Sequence, residues 1–108
     1  MNVDWPVATR TALRRGQLMV AEVEASVPRH RAWIAVYSIP GSVGTFNVFH
    51  REFDEEYMAN DWCIGPDDGM LEHGFVRVTG EEQLVEALRV RNVQPSDLEY
   101  VHNSDYPV

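Results

Sequence analysis

The residues with the most chemistry to offer lie close together. Between Glu52 and Glu72 the chain carries Glu52, Asp54, Glu55, Glu56, Asp61, Asp67, Asp68 and Glu72, with no lysine or arginine among them. Phe53, Tyr57, Met58, Trp62, Ile64, Met70 and Leu71 are interleaved with these acids. Crowded carboxylates repel one another unless they are well solvated or meet a cationic partner. Aromatic and Met residues beside them match the composition of a protein interface core inside a charged rim. The segment therefore reads as a recognition surface for a basic macromolecule. Tyr57 and Trp62 are its expected anchors, and Asp54, Glu55, Glu56, Asp61, Asp67, Asp68 and Glu72 its charged contacts. The competing reading is a solvated acidic loop whose apolar residues pin it to the fold.

Other chemistry is thinly supported. The four histidines, His30, His50, His73 and His102, show no zinc-ligand spacing. His50, Glu52 and Asp54 alternate along one stretch and would share a strand face, with His73 nearby, which is the only metal-like arrangement. Cys63 is the sole cysteine, which excludes an internal disulfide. Set among carboxylates that disfavour its thiolate, it reads as a buried, inert thiol. Asp67-Asp68-Gly69 lacks the alternating oxygen ligands of a calcium loop and reads as a turn. No glycine-rich phosphate motif is present. No cofactor is expected.

Net charge points the same way. The 108 residues hold 9 Lys+Arg and 17 Asp+Glu, for a net charge of −8, and all nine bases are arginine. Residues 1–51 carry six arginines against three acids, +3, while residues 52–108 carry three against fourteen, −11. This balance argues against sequence-independent nucleic-acid binding and against anionic membrane. No segment has the apolar length of a signal core or a membrane span, so a cytoplasmic location is expected.

The elements that must position these groups can be read in turn. Asp4 before Trp5-Pro6 can cap a helix running to about Arg15 and ending at Gly16. Leu18 to Val27 fits a strand by its period of two, or the end of one long helix from Pro6 by its valine spacing. Arg31 to Ile39 and Thr45 to Phe53 flank a glycine-containing turn and read as an antiparallel hairpin, with Trp33 and Tyr37 on its core side. Asp54 to Asn60 reads as a short helical turn capped by Asp54. Gly74 to Val78 is a fourth strand. Thr79 and Glu82 form a capping box for a helix to about Val90, closed by Asn92 and Pro95. Leu98 to His102 is a last strand. Grouped strands rather than alternating ones predict a single α+β domain over residues 1–108. Its mostly antiparallel sheet should have about four to five strands, with helices on one face.

The closing segment carries a likeness. Phe75-Val76-Arg77-Val78, the helix from Thr79 to Val90, then Pro95 and Leu98-Glu99-Tyr100-Val101 resemble the ending of immunity proteins from bacterial polymorphic and contact-dependent toxin systems. The likeness lies in element order over roughly a third of the chain. It implies a non-enzymatic inhibitor that blocks a cognate basic, nucleic-acid-targeting toxin domain. Two rival readings stand beside it. A phage-type nucleic-acid mimic would use the same acids against a nuclease or Cas protein. A small enzyme or ligand-binding protein would instead use His50 or His102 in a pocket.

Overall fold

The computed structural model describes residues 5–42, 44–66 and 68–107. Helix α1 (Val7–Arg14) leads into β1 (Met19–Val23), β2 (His30–Ser38) and β3 (Thr45–Asp54). A short helix α2 (Glu55–Ala59) and a two-residue strand β4 (Gly65–Pro66) precede the long β5 (Gly69–Thr79). Helix α3 (Glu81–Arg89) then crosses to β6 (Glu99–Tyr100), which lies between two 3-10 turns. The sheet order is β4-β5-β3-β2-β1-β6, antiparallel throughout except where β4 meets β5. This is the expected α+β class; β4 is a short strand added at one sheet margin, and β6 at the other is the expected last strand, shortened.

Strand alternation divides the side chains between two faces. Ile34 and Val36 of β2, Phe46 and Val48 of β3 and Val78 of β5 pack under Leu13 of α1 and Leu84 and Leu88 of α3. The intervening residues Val20, Trp33, Ala35 and Phe53 form a smaller core on the opposite face, closed by Tyr106. Trp33 is 1% exposed and meets the Tyr106 ring edge-on at 5.8 Å, a favourable arrangement of aromatic quadrupoles. The two long helices thus share one face. The other is covered at one end by α2, through Met58, and by the chain's closing residues.

Several boundaries differ from the sequence reading, each for a local reason. Leu18 to Val27 does contain a strand, but it stops at Val23 because Ser26 turns away to bond Glu52. Pro6, with extended backbone, occupies the position before α1 and supplies no side-chain cap; Asp4 lies outside the described residues. The capping box is replaced. Thr79 still belongs to β5, and Gly80 is the N-cap at φ 85°, where only glycine sits without strain. Gln83 rather than Glu82 reaches back, its Oε1 accepting the Thr79 N–H at 2.9 Å. The last strand is shorter than Leu98 to His102, since Leu98 is drawn into the helix-side core and residues from Val101 coil into a 3-10 turn. The fourth strand is longer, beginning at Gly69.

One irregularity matters. Along β3 and β5 the pairing runs His50↔Gly74 and then Arg51↔Glu72, leaving His73 as the extra residue of a β-bulge.

Candidate functional site

Asp54 ends β3 and starts α2 as the sequence predicts, its Oδ1 accepting the Glu56 N–H at 2.8 Å. The helix sends Met58 toward the sheet and leaves Glu55 and Glu56 in solvent. After it, Asp61 takes up a positive φ of 57° and the chain doubles back, with the Trp62 N–H donating to the Tyr57 carbonyl at 3.0 Å. That reversal brings Trp62 edge-on to Tyr57, with centroids 5.1 Å apart. The Tyr57 hydroxyl donates to Asp68 Oδ1 at 2.8 Å, and this carboxylate pushes the phenol above its ordinary range. Gly69, at φ 82°, lies so close beneath the Tyr57 ring that a Cβ would stand 2.5 Å from Cδ2. Trp62 remains 48% exposed.

Between this loop and the sheet lies a groove of about 880 Å³. Phe53, Met58, Met70 and Tyr106 line it from the sheet side and the closing residues, and Glu55, Tyr57, Asp61 and Trp62 border it on the α2 side. Arg31 and Arg51 also reach it, but their charges are already matched. Arg31 bonds Glu22 at 2.8 and 2.9 Å and Asp105 at 3.0 Å. Arg51 bonds Glu72 at 2.9 Å and lies over the Phe49 ring. Among the described residues, Glu55, Glu56 and Asp61 have no cation within ion-pair distance. The uncompensated charge around the groove is therefore negative.

Of the residues singled out in the sequence, Glu55, Tyr57, Asp61 and Trp62 come together here, with Glu56 on the adjoining turn. Asp54 is occupied as a helix cap and lies 3.9 Å from His30 Nε2. Asp68 is tied to Tyr57, and Glu72 is paired with Arg51 on the open sheet face. Asp67 lies outside the described residues. The sequence reading left out Arg31 and Arg51, which arrive from β2 and β3, and read Tyr106, in the closing residues, as either core edge or interface. Their odd-numbered strand positions, shared with Trp33 and Phe53, were the available signal for the two arginines. Cys63 corrects the expectation of a buried thiol. It is exposed at the groove, because Ile64 rather than Cys63 turns toward the core.

A second constellation stands on the helix side of β3. Glu52 is 0% exposed, yet ionised. Burial pushes its carboxyl up, but hydrogen bonds from the Ser26 N–H, His73, the Ser26 hydroxyl and His30 outweigh this and hold it at about 2. The contacts are 2.9 Å from Ser26 N, 2.9 Å from His73 Nε2 and 2.8 Å from His30 Nδ1. A carboxylate only accepts, so both imidazoles donate, which fixes their tautomers. The His50 ring lies tilted against His73 with centroids 4.7 Å apart, and burial, then the neighbouring His73, pushes its pKa down. His50, Glu52 and Asp54 do share a face, as the alternation predicts. Glu52, however, spends its oxygens on protein donors, and among the described residues no group of three or more His, Cys, Asp and Glu is arranged to hold a metal ion. Neither His50 nor His102 lines the groove, and His102 stacks on Tyr100. Among the described residues no helix is long and apolar enough to cross a membrane. In comparisons with family models, curated proteins and solved structures, the chain matched none.

Proposed function

We propose that this chain is a non-enzymatic inhibitor that binds a basic protein domain, and specifically an immunity protein that blocks a nucleic-acid-targeting toxin. The observation that carries the reading is the groove margin. There Glu55 and Asp61, with Glu56 on the adjoining turn, keep unmatched charge beside Tyr57 and the half-exposed Trp62. A domain that acts on nucleic acid presents a cationic cleft, and carboxylates can occupy it in place of phosphates through charge-assisted pairs with arginine. Aromatic anchors would supply the desolvated centre that dominates affinity. The chain's own arginines at this groove are held by its own acids, so they would not repel such a partner. The net charge of −8 adds long-range attraction.

The test is capture of the product of the adjacent upstream gene, co-expressed with this chain. Association should slow steeply as salt rises. Reversing Glu55, Glu56 and Asp61 together to Arg should abolish capture while leaving the melting temperature within a few degrees, since all three side chains are solvated. Capture that survives the triple reversal removes this surface as the interface.

A further inference from the structure

A different part of the molecule has its own unmet bonding capacity. β5 pairs with β3 on one side, but on the other only Gly69 and Met70 meet a neighbour, β4. From Leu71 to Val78 the outer edge of β5 has no strand beside it among the described residues. Exposed edges are ordinarily blunted by lysine, proline, bulges or a covering element. Here the bulge at His73 breaks the first part of the edge, while Gly74 to Thr79 runs in regular register and holds neither lysine nor proline. Phe75 sits in that stretch with 50% of its surface exposed.

The direction of the backbone groups follows from two contacts. The Gly80 N–H donates to the Gly44 carbonyl at 2.7 Å, so the residues in step with Gly80, namely Val78, Val76 and Gly74, direct their backbone groups to β3. The Thr79 N–H instead goes outward to Gln83. By the same alternation, the N–H and C=O groups of Phe75 and Arg77 face outward with no partner strand. On the open face, the Phe75 ring packs tilted against Phe49 with centroids 4.9 Å apart, and the Arg77 Nε donates to Asn47 Oδ1 at 3.0 Å. Among the described residues Arg77 has no acid within ion-pair distance.

We propose that this edge pairs with the same edge of a second copy, antiparallel about a twofold axis at Val76, joining the two sheets into one. This register alone satisfies all the constraints above. It sets Phe75 opposite Arg77 of the second copy, and Arg77 opposite its Phe75, so the four outward N–H groups and their carbonyls close two hydrogen-bonded pairs. Each Arg77 guanidinium then lies across the strand from a Phe75 ring, a cation–π pair that occurs twice by symmetry. A shift of one pair toward the strand's end would set Arg77 against Arg77, with like charges in contact. A shift the other way would bring the bulged His73 into the ladder. Phe75 lies five residues along the strand from Met70, roughly 16 Å, so the groove of the proposed inhibitor remains open in the dimer.

The interface is short, and two chains of net charge −8 repel, so the dimer should be weak and should strengthen with added salt. That is opposite in sign to the capture of a basic partner, so the two proposals fail separately. Sedimentation velocity at roughly 100 µM protein and moderate salt, a concentration suited to a micromolar dissociation constant, should show a dimer. Phe75→Arg places arginine against Arg77 and should give a monomer with an unchanged circular-dichroism spectrum. Phe75→Glu places a carboxylate against the same arginine and should remain dimeric. A monomeric wild-type chain, a dimeric F75R or a monomeric F75E would each overturn the proposal.

Discussion

The imidazole of His73 donates to the carboxylate of Glu52 across 2.9 Å, and it does so from the bulge position that the β3–β5 pairing skips. The bulge is what aims this side chain. With regular pairing at that point His73 would stand opposite Arg51, on the other face of the sheet from Glu52. The extra residue instead closes the hydrogen-bond shell of a buried charge, together with His30 and Ser26. Three separate segments are fastened to one carboxylate: the loop after β1, the start of β2 and the middle of β5.

Glu52→Gln should therefore be among the most damaging single changes in the chain. The amide keeps the shape but offers one acceptor oxygen where two are used, and it turns an NH₂ toward donors. A loss of about 3 kcal/mol is expected, in the range for breaking a buried charged network, read as a lowered midpoint in urea with the slope unchanged.

Acid sensitivity should trace to the same group. Glu52 is held at about 2, against 4.5 for a free glutamate. Between those values the unfolded chain binds the proton and the folded one does not, so stability falls as pH is lowered. The contribution is fully present above about pH 4.5 and lost by about pH 2, amounting to about 3 kcal/mol. Urea titrations across this window should show that drop in the wild-type chain and a shallower one in Glu52→Gln.

Gly69→Ala tests the loop that carries the groove. The substitution combines a positive φ with a Cβ driven into the Tyr57 ring. A cost of about 1–3 kcal/mol is expected, with a change in tyrosine and tryptophan near-ultraviolet dichroism as Tyr57 leaves Trp62. If stability and spectrum are both unchanged, the ring does not rest on Gly69.

Trp62→Ala should separate binding from folding. The indole is half-exposed and lies outside both cores, so thermal stability should change little. As an interface anchor its loss should weaken partner binding by about 2 kcal/mol, roughly 30-fold, measured by calorimetry. Equal affinity of the variant and the wild-type chain would place the anchor elsewhere.

The elements were readable because they follow from local constraints. Gly41 and Gly44 between two β-rich runs specify the hairpin, and Asp54 marks the start of α2 by the hydrogen bond it can accept. Alternation along β2 put Trp33 and Tyr37 on one face, and alternation along β3 put His50, Glu52 and Asp54 together. Of the contact residues expected in the acid-and-aromatic run, Glu55, Tyr57, Asp61 and Trp62 gather at the groove, since they lie within eight positions and a helix with one tight reversal suffices to bring them together.

What the residues could not decide alone was which charges would be matched. Glu52, Glu72, Asp61 and Glu55 are indistinguishable as letters in one acidic run. The β3–β5 pairing places Glu72 beside Arg51, the bulge seals Glu52 among histidines, and the fold leaves Glu55 and Asp61 in solvent. Cys63 came out exposed, and Tyr106 came in from the closing residues to cover Trp33, for the same reason. Alternation is a property of one strand, whereas register, bulges and the path of a loop arise only when distant strands compete for the same hydrogen bonds and the same core.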